Sequence, residues 1–227
     1  MSRAVLFDTE TTGLDPMYGD RVIEIALLEL HRDLPTGQRL HLLIDPERDV
    51  PEEATRIHGM TRAHLRGKPR FADVADDILA FIGTDLLVAH NAPFDFGFLD
   101  AEFGRLRLPP LARERMVCTL ELAKRRFPGL PNSLDALCRR FNIDLSERIA
   151  HNALLDCRLL AQVYVELTGG RQRGLILADE REGGLPAVSY RLTGPRVARP
   201  VVPDADALAR HAAFVSRLKS PVWLGGS

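Results

Sequence analysis

Lysine is almost missing from this chain: only 3 of its 30 basic side chains are Lys, and 27 are Arg. No local cluster of arginines demands the skew, so it reads as a genome-composition bias and not as an adaptation to nucleic acid. Cysteine is scarce too. Cys118, Cys138 and Cys157 form an odd trio without a C-x-x-C pair, which excludes a zinc frame or a disulfide scaffold and suits buried thiols in a reducing cytosol. Long apolar runs are absent, since no uncharged stretch approaches the roughly 20 residues of a spanning helix. The N-terminus reaches an acid by Asp8 without an apolar h-region, so a cytoplasmic protein with no membrane contact is expected.

With 227 residues, 45% of them hydrophobic and 27% charged, the chain has material for one to two domains with a core of their own. The net charge of −1 hides an asymmetry. Residues 1–168 carry 21 basic and 26 acidic side chains, and residues 169–227 carry 9 and 5. The larger part therefore lacks the broad basic footprint of a protein that captures DNA unaided.

Apolar runs over 4–7, 22–31 and 40–44, separated by turn-rich 13–20 and 34–38, predict three strands in an antiparallel meander. Phe71, Val74, Ala75, Ile78, Leu79 and Ile82 fall at helical spacing, and Gly83 stops that helix. A buried strand at 86–89, a helix over 94–103 after Pro93, a strand at 116–118, and helices over 119–127, 134–141 and 152–167 follow. The order β-β-β-α-β-α-β-α predicts an α/β fold, a mixed sheet with helices against it.

Asp8 and Glu10 lie two apart on the first strand, so their carboxylates share a face. Two acids against a core need a cation, and hard divalent ions such as Mg²⁺ or Mn²⁺ take carboxylate oxygens. Acids at strand ends are usually just solvated, and the pair alone is weak evidence. Thr9, Thr11, Thr12 and Gly13 beside it add hydroxyls and backbone N–H groups. His90-Asn91-Ala92-Pro93-Phe94-Asp95 places Asp95 in the first turn of a helix, where His90 and Asn91 serve as active groups or as braces of the turn. In His151-Asn152-Ala153-Leu154-Leu155-Asp156 the His and Asp are five apart, roughly 140° on an ideal helix. They converge only if His151 precedes the first regular turn. The plain alternative for His151 is an exposed helix-start residue.

Taken in order, Asp8-Thr9-Glu10-Thr11-Thr12-Gly13-Leu14, His90-Asn91 through Asp95, and His151 through Asp156 resemble the three motifs of the DEDD 3′–5′ exonucleases, and the His-x-x-x-x-Asp form resembles the His-type branch. The resemblance spans residues 1–168. It implies a ribonuclease H-like, five-stranded mixed sheet with flanking helices and a site for two divalent cations, Mg²⁺ or Mn²⁺. Asp8, Glu10 and Asp156 are then the metal ligands, Asp95 assists, and His151 is the general base that takes the proton of the attacking water. It also implies that Asp8, Glu10, Thr11, Thr12, Leu14, Glu53, His58, Asn91 and Asp156 meet the 3′-terminal nucleotide, with Leu14 wedged against its base. The alternatives are core for Leu14 and a tight turn for His58-Gly59. Within the branch, Ile57-His58-Gly59-Met60-Thr61, Asn132 through Cys138 and Thr168-Gly169-Gly170 are similar to the proofreading subunits of bacterial replicative polymerases.

From Gly169 the character changes. Gly183, Gly184, Pro186, Gly194, Pro195, Pro200 and Pro203 punctuate a flexible linker over 169–203. Gln172-Arg173-Gly174-Leu175-Ile176-Leu177 resembles the peptides that grip a sliding clamp, with Gln172, Leu175 and Leu177 as contacts; its alternative is a fraying helix end. A helix over 204–220 carries Leu208, Ala212, Val215 and Leu218 toward a replicative polymerase catalytic subunit, with Trp223 as an added contact. The expected partners are that subunit, the clamp and a DNA 3′ end. Two other readings stay open: a free-standing exonuclease or exoribonuclease of the same family, and a catalytically silent scaffold between polymerase and clamp.

Overall fold

The computed structural model describes residues 3–148, 150–169 and 202–218. The chain divides into two units, Met1–Ile176 and Leu177–Ser227.

In the first unit, β1 (Arg3–Thr11), β2 (Val22–His31) and β3 (Leu34–Leu43) pair antiparallel, and β4 (Leu86–Ala89) and β5 (Met116–Cys118) add parallel on the other side of β1. The sheet order is β3-β2-β1-β4-β5, the expected mixed five-stranded sheet. β1 is central because it is apolar on both faces. Val5 and Phe7 enter a core with α3 (Phe71–Ile82) and α4 (Ala92–Arg105), while Ala4 and Leu6 enter a second core under α7 (Ala153–Leu167), with α5 (Thr119–Arg126) and α6 (Leu134–Arg140) alongside. All three cysteines are free; Cys138 and Cys157 are buried, and Cys118 is half-buried.

Two features depart from the sequence expectation. β1 runs on through Thr11, so Asp8 and Glu10 sit inside a paired strand. Residues 34–38, expected as a turn, are already β3; the chain reverses in two residues, Arg32 and Asp33, at φ 53° and 65°. That is the left-handed pair a two-residue hairpin needs, reached here without glycine. Pro35 is tolerated because β3 is an edge strand. Two short helices, α1 (Glu52–His58) and α2 (Arg62–Leu65), fill the segment before α3.

In the second unit, α8 (Ala205–Val215) starts on Asp204, whose side chain accepts from the Ala207 N–H at 2.6 Å. It is shorter than the expected 204–220 helix. Leu208, Phe214 and Leu218 are exposed and Val215 is buried. The 172–177 motif and Trp223 lie outside the described residues. Among the described residues no helix is long and apolar enough to cross a membrane.

Candidate active site

The strand period puts Asp8 and Glu10 on the α7 side of the sheet, in line with Ala4 and Leu6. Thr9 points the other way, toward α4, and there it fixes the third acid. The Thr9 hydroxyl donates to Asp95 Oδ1 at 2.7 Å and its backbone N–H to the same oxygen at 3.1 Å. Asp95 lies in the first turn of α4, which Pro93 opens. Asn91 precedes that helix in the left-handed region, at φ 63°, and makes no capping bond. Its exposed side chain faces a cavity of about 560 Å³ shared with Asp8, Arg148, His151 and Asp156. His90 is a brace: its Nδ1 lies 3.0 Å from the Thr119 hydroxyl, which donates to the Ala89 carbonyl, and burial lowers its pKa to about 4.

His151 does precede the first regular turn of α7. Asn152 is the cap, its side chain accepting from the Leu155 N–H at 3.1 Å. The bend returns His151 Nδ1 to 3.2 Å from Asp156 Oδ2, and the His151 N–H donates to the Ile57 carbonyl of α1. Ligand atoms of Glu10, His151 and Asp156 all lie within 4.8 Å of one another.

The acids repel one another in a dry place. Burial, then the charges of Asp95, Glu10 and Asp156, push Asp8 well above the usual carboxylate range. Burial and Asp156 lift Glu10 to about 8. Burial lifts Asp95 to about 7 against the bonds from Thr9. Asp156 goes the other way: burial pushes it up, but Arg148 and His151 outweigh that and hold it below its ordinary value. A carboxylate donor set, crowded and over-charged, fits hard divalent cations.

Next to the acids lies a second cavity of about 360 Å³, lined by Glu10, Thr11, Leu14, Glu53, His58 and Phe94 among others. Leu14 is 80% exposed there, so it is not core. The loop beneath it is held stiffly. Thr11 donates to the Gly13 carbonyl at 2.6 Å and Thr12 to Asp20 Oδ1 at 3.0 Å, and a Cβ on Gly13 would come within 2.2 Å of Asp20. Thr12 is fully buried, with hydroxyl and amide both used inside the protein. Glu53 is exposed and pairs with Arg56. His58 is buried; its Nδ1 accepts from the Met60 N–H at 3.1 Å, and its Nε2 makes no well-formed hydrogen bond among the described residues. Such an atom in a cavity wall suits a bound polar group.

Sequence reasoning missed two residues. Glu24, fully buried in β2, takes bonds from His41 Nε2 at 2.6 Å, Asn152 Nδ2 at 2.8 Å and the Ala153 N–H at 3.3 Å, tying the start of α7 to the sheet. Its signal was an acid within an apolar strand. Arg148 grips Asp156, and its signal was a base three residues before His151 in an otherwise acidic neighbourhood.

The Exonuclease family model matches residues 5–164. DNA polymerase III subunit epsilon of Rickettsia felis is 41% identical over 221 residues, 95% of this chain and 96% of that protein. The subunit of that name from Salmonella typhimurium is 39% identical over 239 residues, 100% and 96% of the two. Among solved structures, exonuclease X in complex with 5′-overhanging duplex DNA matches with a TM-score of 0.58 and 29% identity, covering 74% of this chain and 92% of that one. The zinc-bound complex of E. coli exonuclease I with single-stranded DNA has a TM-score of 0.65 at 20% identity, over 76% of this chain and 41% of the other, and shares the ribonuclease H-like fold.

Proposed function

The chain belongs to the exonuclease family, among the epsilon subunits of bacterial DNA polymerase III, and from that premise we propose how its residues remove mismatched nucleotides from a 3′ end. The protein is a metal-dependent 3′–5′ proofreading exonuclease. The observation that carries the reading is the convergence of Glu10, His151 and Asp156 beside Asp8 and Asp95, at the mouth of a cavity of nucleotide size.

Asp8, Glu10 and Asp156 would hold two divalent cations, Mg²⁺ or Mn²⁺, with Asp95 supporting the site from α4. Such ions, when bound, lower the pKa of the attacking water and neutralise charge on the leaving 3′ oxygen. His151, half-exposed at the cavity mouth, takes the proton of that water. Leu14 and Phe94 give the terminal base apolar contact, and Glu53 and the Nε2 of His58 meet the sugar end. Thr11 and Thr12 shape the loop, and Asn91 borders the path of the scissile phosphate. Nothing here reads base edges, which suits an enzyme that must accept any mismatch.

Likeness to the epsilon subunits continues past residue 164 into the tail, and a free-standing exonuclease leaves that unexplained. We therefore place the protein in the cytoplasm at the replication fork. There, residues 204–220, through exposed Leu208 and Leu218, attach to the polymerase, and Gln172, Leu175 and Leu177 of the 169–203 linker attach to the clamp. The test is nucleotide release from a mismatched primer. Wild type with Mg²⁺ should release the mismatch, Asp8→Ala should not, and equal rates for the two would sink the reading.

A further inference from the structure

The Arg148 guanidinium sits where a cation would sit. Its Nε lies 2.6 Å from Asp156 Oδ1 and its Nη2 lies 2.7 Å from Oδ2, a bidentate grip on one carboxylate. The same Nη2 is 3.0 Å from His151 Nδ1. Two of the three groups that converge within 4.8 Å are thus already engaged by one positive side chain. Both partners are well buried, at 9% and 4% side-chain exposure, so solvent does little to weaken the pair.

We propose that Arg148 is a resident counter-cation that competes with the divalent metal for Asp156 and yields that carboxylate when metal binds. The inference rests on the reading of Asp8, Glu10 and Asp156 as metal ligands. Three observations carry it. The fork engages both oxygens of Asp156, so a metal can take that carboxylate fully only by displacing it. The far nitrogen, Nη1, is ion-paired with Asp135 of α6, whose side chain is half-exposed. Arg148 therefore has a second carboxylate to rest on, and leaving Asp156 strands no buried charge. Finally, Glu10 and Asp156 bring ligand atoms within 4.8 Å of each other, so the Arg148 guanidinium stands beside carboxylates that repel one another. A cluster with its own cation can fold before metal arrives; the cost is weaker metal binding.

Mn²⁺ binding to the full chain, titrated calorimetrically without DNA, tests this by the sign of an affinity change. Arg148→Met should bind Mn²⁺ at least about tenfold more tightly than wild type, and Arg148→Lys, which keeps the charge but loses the fork, should also bind more tightly. If Arg148→Met binds equally or more weakly, Arg148 orients Asp156 for metal and the proposal fails. If Arg148→Met binds more tightly but Arg148→Lys matches wild type, simple charge repulsion accounts for the effect and the proposal also fails. Far-UV circular dichroism of each variant at the titration temperature establishes that it is folded, and the lysine variant carries the test should the methionine variant not fold. Asp156→Ala separates the premise from the inference: if wild type and Asp156→Ala bind Mn²⁺ alike, the ligand assignment is at fault.

Discussion

Glu10 on β1 stands directly opposite Glu24 on β2 in the antiparallel ladder, so two carboxyl side chains share one sheet face. Only Glu24 is fully bonded, and its bonds run to Asn152 and the Ala153 N–H at the start of α7, one residue from His151. It is a positioning residue. Glu24→Ala should cost about 2–3 kcal/mol in urea unfolding, because it leaves buried donors without an acceptor. It should also lower the nuclease rate through a displaced His151, whereas Glu24→Gln, which keeps an acceptor oxygen, should lose less of both. An unfolding midpoint that rises in Glu24→Ala would mean that relief of repulsion with Glu10 outweighs the bonds.

Metal-free stability should fall as pH rises. A carboxyl whose folded pKa lies above its unfolded value makes the folded state bind more protons, so stability is lost between the two values. For Glu10 that window runs from about 4.5 to about 8, for Asp95 from about 3.8 to about 7, and Asp8 shifts in the same direction. Unfolding in EDTA at pH 5.5 and pH 8 should show the loss, and Mg²⁺ at pH 8 should restore it. A midpoint that does not move with pH would refute the mutual repulsion.

Two neutralising substitutions should move stability in opposite directions while both silence the enzyme. Glu10→Gln removes a repelled acid, so the metal-free protein at pH 8 should gain about 1–3 kcal/mol, at roughly 1.4 kcal/mol per tenfold change in proton affinity. Asp156→Asn removes the bidentate charge-assisted bonds to Arg148, which keeps Asp135 as its ion-pair partner, and should lose about 1–3 kcal/mol. Equal signs would show that Arg148 does not depend on Asp156.

His151→Ala should lower the hydrolysis rate by roughly 10²–10⁴ and change the shape of its pH dependence. Mn²⁺ affinity should change little, because the carboxylates carry that binding. A large loss of Mn²⁺ affinity in a calorimetric titration would make His151 a ligand instead of the base.

The parts of this molecule that follow local rules were legible in the sequence. The spacing of Phe71 through Ile82 and the strand period of Asp8 and Glu10 each depend on neighbours a few residues away. What the sequence hid depends on register or on the reach of long side chains. The Arg32-Asp33 turn carries no glycine to mark it. Glu24 is an acid in an apolar strand, and only the ladder sets it against Glu10 and beside Asn152. Arg148 is one of 27 arginines, and little local marks it out. The site's acids were visible because their three motifs, taken in order, resemble those of the DEDD exonucleases; the groups that hold them were not, because Glu24 meets Asn152 from another strand and Arg148 reaches Asp156 only by the turn before α7.

If the tail carries the two proposed attachments, each can be weak, because two contacts in one chain act through effective concentration. Residues 172–177 hold three apolar side chains, Leu175, Ile176 and Leu177, behind Gln172, and α8 exposes Leu208, Phe214 and Leu218. On the proposed assignment the two segments have different partners, so their losses should separate too. Replacing Gln172, Leu175 and Leu177 with alanine should abolish clamp binding while polymerase binding and nuclease rate on a free primer stay unchanged. Replacing Leu208, Phe214 and Leu218 should do the reverse for the polymerase. Both sets should be measured on the same preparations by pull-down and by nucleotide release. Retained clamp binding in the first variant would remove the motif. A nuclease loss there would mean that residues 172–177 belong to the exonuclease fold and not to a tether.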